Sequence, residues 1–202
     1  MSASPPLPVP AGMGPFQIKG SIYQGLVGAA RHAGVEGPWL APLEPSTRAF
    51  ASQIFLSSGW YDAFPIMPLT GALAERVGIS FEQVVRRGAK RRVTEDLETV
   101  YRIELKRTSP AELAPRLARG FDRYFAFGRA EITESSSHAA RAKMFGVPEY
   151  VASWYRLSTA TFFEVVLAMA GATNVEVGWK EDADATVSGH RTRRFECSIS
   201  WK

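Results

Sequence analysis

Apolar residues recur along this chain at two spacings, three to four residues over its first part and two residues over much of its last. The longest helical stretch is residues 147–171, VPEYVASWYRLSTATFFEVVLAMAG. Glu149, Ser153, Arg156, Ala160 and Glu164 form one narrow stripe, and Val151, Trp154, Tyr155, Leu157, Phe162, Val165, Val166 and Met169 fill the rest. A helix with so little polar surface is buried on most of its circumference. Pro148 suits its first turn and Gly171 a left-handed C-terminal cap. Alternating segments lie on either side, so this helix is expected to cover a sheet.

The first part of the chain reads as a set of about five helices. Phe16 and Ile18 are extended, and Ser21 and Gln24 then form a capping box for a helix that Gly34 ends. Prolines 38, 42 and 45 force a loop, with Trp39 and Leu40 plugging the core. The second helix is expected over 46–58 with Phe50, Ile54 and Phe55 inward, and 60–65 as an aromatic turn. That turn either packs in the core or rims a pocket. Leu69, Ala72, Leu73 and Val77 give a third helix stopped by Gly78. Ser80 and Gln83 cap a fourth, which carries the basic run Arg86–Arg92 with i,i+4 partners at Glu95 and Asp96. Its apolar face continues through Val93, Leu97 and Val100, as one helix or two. Ser109-Pro110-Ala111-Glu112 opens a fifth, with Leu113, Leu117, Phe121 and Tyr124 inward, ending near Gly128.

Four segments then alternate: Ala130 and Ile132; Ala140, Ala142 and Met144; Val175, Val177 and Trp179; and Phe195, Cys197, Ile199 and Trp201. Residues 180–190 read as a polar connection. The fold class is therefore α/β (α+β): an N-terminal helical set followed by β-β-α-β-β, with a four-stranded, largely antiparallel sheet. Residues 1–15 carry five prolines and are expected as a disordered leader, with 16–202 as a single domain.

Composition narrows the function classes. The 202 residues are 46% hydrophobic and 22% charged, as in ordinary globular proteins, and the net charge of +4 is only mildly basic. The lone Cys197 excludes an internal disulfide and a multi-thiolate zinc site. His32, His138 and His190 lack metal-ligand spacing, and Glu131, Glu134 and His138 read as surface residues of a hairpin, so no metal is expected. No nucleophile elbow, Walker loop or dinucleotide fingerprint is present, and no catalytic residue is assigned. Arg86–Arg92 and Arg191, Arg193 and Arg194 read as solvated charge, and nucleic acid is not an expected partner. The most apolar window, 157–175, is broken by Glu164 and rich in Ser and Thr; no membrane span and a cytoplasmic location are expected.

The layout resembles the superfamily that joins 4-vinyl-reductase-type domains, transport-particle (TRAPP) subunits and heme-nitric-oxide-binding domains. Ile18-Lys19-Gly20-Ser21-Ile22 carries the resemblance at the start, and Gly189 with Arg193-Arg194-Phe195-Glu196-Cys197-Ser198-Ile199-Ser200-Trp201 at the end. Residues 16–202 are similar more closely to a paralogous family of about this length found mainly in myxobacteria. Heme-binding relatives have a proximal histidine on a helix and a Tyr-x-Ser-x-Arg motif. Tyr155-Arg156-Leu157-Ser158-Thr159 does not fit that motif and the central helix has no histidine, so no cofactor is expected. Vinyl-reductase-type domains often end with two cysteines where this chain has one, which argues against metal-linked sensing.

Three functional readings follow. The first is a non-enzymatic ligand-binding or signalling module with a hydrophobic small molecule held between helices and sheet, lined by Phe50, Ile54, Phe64, Trp154 and Phe162. The second is a protein-interaction or scaffolding module that self-associates, as a homodimer or with a protein partner. A small-molecule enzyme has the least support.

Overall fold

A computed structural model describes residues 6–100 and 108–202, with the backbone alone for 97–100 and Arg119. The chain forms two compact units, residues 1–88 and 89–202. The architecture is mixed α+β with a four-stranded antiparallel sheet, as the two spacings predict.

In the first unit, β1 (Gln17–Lys19) pairs antiparallel with β2 (Trp60–Asp62), Ile18 opposite Tyr61. Period-two patterning cannot show in three residues, so the expected turn at 60–65 begins as a strand. Helix α1 (Gly20–His32) buries Ile22, Tyr23, Leu26 and Ala30. Its expected Ser21–Gln24 box does not form: Gly20 N–H donates to Gly59 O (2.9 Å) and Ser21 N–H to Ser57 O (3.3 Å). A neighbouring loop thus caps the helix with backbone carbonyls. A Cβ on Gly20 would lie 2.0 Å from Leu56 O, so only glycine permits this approach.

Helix α2 (Pro45–Ala51) ends seven residues before the expected Ser58. Ser52 N–H still makes its helical bond to Arg48 O (3.0 Å), which also accepts the Ser52 hydroxyl (2.9 Å), while Gln53 Nε2 takes Phe50 O (2.9 Å), the carbonyl that Ile54 N–H would reach in a longer helix. The chain then turns, placing Phe55 against Tyr23 with ring centroids 4.7 Å apart and leaving Ile54 87% exposed rather than inward. Helix α3 (Ile66–Val77) stops at left-handed Gly78, and the Ser80–Gln83 box caps α4 (Phe81–Val100). Helix α4 is continuous as far as Val100; the extension toward Leu105 lies outside the described residues.

In the second unit, the Ser109–Glu112 capping box opens α5 (Pro110–Leu113) as predicted. One helix to Gly128 does not follow. A 3₁₀ segment spans Ala114–Gly120 before α6 (Phe121–Tyr124), because Pro115 lacks the N–H that would continue the α-helical ladder.

The sheet has the order β3-β4-β6-β5, from β3 (Arg129–Ser135), β4 (Ala139–Pro148), β5 (Glu176–Val187) and β6 (His190–Ser200), all antiparallel. One face carries Ala140, Ala142, Met144, Phe195, Cys197 and Ile199, all buried. Helix α7 (Ala152–Met169) brings Tyr155 onto that face, stacked on Phe195 at 6.1 Å. It starts later than predicted: Val147 and Pro148 still pair with Arg193 and Thr192, and a 3₁₀ turn at Glu149–Val151 follows. The expected polar connection at 180–190 is instead the far half of a long hairpin, turned by Ser188 and Gly189 at φ 51° and 79°. Charged side chains lie on both faces there, so no alternation marked the strand. Among the described residues no helix is long and apolar enough to cross a membrane.

Candidate functional site

The N-terminal unit holds a groove of about 700 Å³ beside α1. Gln24, Val27, Gly28 and Arg31 share one stripe of that helix by their spacing. Ala51, the last residue of α2, and the strip Ser52–Phe55 after it face them, and Glu36, Gly37, Trp39 and Leu40 complete the lining. Trp39, Ala51 and Phe55 are buried and form an apolar floor; Val27 and Leu40 are half-buried, and Ile54 stands over the opening.

Polar groups are confined to the edges. Gln24 Nε2 donates to Phe55 O at 2.6 Å, which fixes the strip against α1. Arg31 donates to Glu36 from Nη2 (2.6 Å) and from Nε (3.1 and 3.2 Å). This pairing holds the Glu36 carboxyl below its usual value and raises Arg31 above its own.

Of the residues expected to line a ligand site, Ile54 lines this groove. Phe50 is buried against Tyr23 (5.2 Å) and Phe55 (5.5 Å), and Phe64 against Phe16 (5.8 Å). Trp154 and Phe162 belong to the second unit, Trp154 buried edge-on to Phe125 (6.2 Å) and Phe162 half-buried against Tyr124 (6.2 Å). Val27, Leu40, Arg31 and Glu36, which also line the groove, were not singled out from the sequence. The available signal was Gln53, whose side chain takes the Phe50 carbonyl where α2 ends, just before Ile54.

The other charged clusters are largely paired among themselves, although Arg194 Nε is buried without a hydrogen-bond partner among the described residues. On the uncovered sheet face a trough of about 570 Å³ is spanned by Arg141–Glu134 (3.2 Å) and Lys143–Glu196 (3.5 Å). Arg191 and Arg193 share Glu149, Arg193 also reaches Glu181 (3.5 Å), and Arg194 meets Asp182 (3.3 Å). In the basic run, Arg86 pairs with Glu82 (2.8 Å) and Arg91 with Glu95 (3.9 Å). Arg92 lies over the Tyr124 ring at 5.8 Å, and burial brings its guanidinium down to about 10. The Tyr124 hydroxyl donates to Asp96, and burial raises its ionisation above the usual range. Among the described residues no three His, Cys, Asp or Glu side chains gather as a metal site.

No protein-family model matches this sequence, and no curated protein matches it. Solved structures do. An Fe(II) unliganded H-NOX (heme-nitric-oxide-binding) protein from K. algicida superposes with a TM-score of 0.62 at 11% identity, covering 91% of this chain and 96% of that one. A point mutant of T. tengcongensis H-NOX gives 0.54 at 14% identity, covering 91% and 97%. An oxygen-binding H-NOX domain related to soluble guanylate cyclases gives 0.52 at 13% identity, covering 91% and 95%. At such identities the likeness is one of fold: the chain has an H-NOX-like fold.

Proposed function

We propose that this chain is a non-enzymatic ligand-binding module whose ligand is a small apolar molecule seated in the groove along α1. Structurally similar proteins include an oxygen-binding domain, so related folds hold small molecules elsewhere. A single exposed isoleucine means little on a protein surface. The observation that carries the reading is that Ile54 stands over a floor of Trp39 and Phe55, in a groove whose volume falls among those of ligand pockets, about 300–1,000 Å³.

Heme, which the fold of the neighbours brings to mind, does not fit the residues present. His32 is exposed at the end of α1, His138 is exposed between β3 and β4, and His190 opens β6 at the hairpin turn. Residues 97–107 contain no histidine. The sole thiol, Cys197, is pushed up to about 12 by burial, whereas ligation requires a thiolate.

Titration with an environment-sensitive apolar dye tests the reading. Saturable one-to-one binding, a higher melting temperature with dye and at least about tenfold weaker binding by Ile54→Asp are expected. Ile54 is exposed, so this variant keeps the fold. Absence of saturable binding overturns the proposal. A second reading, self-association, draws on Met13, Ile54 and Leu56, apolar side chains left exposed in the same unit. A dimer in light scattering that Ile54→Asp dissociates would favour it.

A further inference from the structure

The ligand class can be narrowed, given the groove reading above, from the unspent hydrogen-bonding capacity at its edge. Arg31 has five N–H donors. Its Nε and Nη2 face Glu36, while Nη1 has no partner among the described residues, and the side chain is 68% exposed. Glu36 is the other charged residue of the lining, and both its oxygens already accept from Arg31. The backbone carbonyls at the nearby end of α1 are occupied too: Ala29, Ala30 and Arg31 accept from Ala33, Val35 and Gly34. The Nη1 donor thus stands free at this edge beside a carboxylate whose charge Arg31 already neutralises, a few residues along α1 from the apolar wall at Val27.

We infer that the groove takes an amphiphile with a carboxylate head, a monomeric fatty acid being the simplest, with its chain over Trp39, Leu40 and Ile54 and its carboxylate on the Nη1 edge of Arg31. A guanidinium offers a second edge to a second carboxylate, so Glu36 stays in place. Glu36 then sets the orientation of the Arg31 fork and weakens the anion site through its own charge. A cationic head would meet the guanidinium and is disfavoured.

The test compares dodecanoate with dodecanol, below their aggregation limits and near pH 7, where the acid is ionised. Both carry the same chain, so the difference reports the head alone. On the unaltered protein dodecanoate is expected to bind about tenfold more tightly, as a charge-assisted hydrogen bond implies, with the advantage shrinking as salt rises. Arg31→Gln brings the dodecanoate-to-dodecanol affinity ratio to about one, and Glu36→Gln raises that ratio. Both residues are exposed, and a circular dichroism melt checks that each variant folds. Equal binding of acid and alcohol, or an unchanged ratio in Arg31→Gln, overturns the assignment of the head while leaving the groove reading standing. Failure of both probes to bind overturns the groove reading and this inference with it.

Discussion

The backbone N–H of Gly14 donates to the carboxylate of Asp62 at 3.0 Å, and a Cβ on that glycine would lie 2.2 Å from the same carboxylate. Asp62 also accepts from Gly12 N–H (2.9 Å) and, through its other oxygen, from Phe64 N–H (2.9 Å). Its own carbonyl accepts the Tyr23 hydroxyl at 2.5 Å. One buried side chain thus fastens the segment before β1 to the strand pair and to the start of the turn that follows. Asp62→Ala leaves these donors without a partner and is expected to cost about 3 kcal/mol, read as a lower denaturant midpoint. A variant as stable as the parent would show that water replaces the carboxylate.

Helix α7 supplies a graded series. Trp154 and Phe163 are buried, and each replaced by alanine is expected to cost about 3–5 kcal/mol. Phe162, on the same helix, is half-buried and its replacement should cost clearly less. Equal losses at 162 and 163 in thermal melts would contradict this placement of the helix face.

Cys197 is 2% exposed, and burial raises its thiol from 9.0 to about 12. The thiol should resist disulfide reagents at pH 8 in the folded protein and react at once in denaturant. The sign for stability follows from the same shift. The folded thiol binds its proton more tightly than the unfolded one, so its contribution is intact below pH 9 and is lost as pH rises toward 12. Cys197→Ala should flatten that part of the stability profile; an unchanged slope would mean that other groups cause it.

Hemin added to the purified protein is expected to give no Soret band characteristic of a ligated heme. The decisive contrary result would be a band that disappears when His32, His138 or His190 is replaced by alanine.

Much of the fold was legible because local chemistry and burial agreed. The Ser109–Glu112 box, the stop at Gly78 and the alternation of Phe195, Cys197 and Ile199 each depend on near neighbours and appear in place. The far half of the β5–β6 hairpin was invisible because strands held by backbone ladders and charged on both faces need no apolar alternation. The start of α1 was misread for another reason: its first donors are satisfied by carbonyls at Ser57 and Gly59, more than thirty residues away.

The sequence by itself determined the class of the fold, the four strands and the apolar character of the helix that covers them, since these follow from the spacing of apolar positions. It also limited the chemistry, through one cysteine and three scattered histidines. Tertiary structure alone decided where a groove opens. Ile54 reads as one more inward position of a helix, yet it is turned to solvent where the helix ends and the Gln53 side chain takes the Phe50 carbonyl. The groove exists only because this released strip, α1 and the segment around Trp39 meet in space, and no spacing along the chain encodes that meeting.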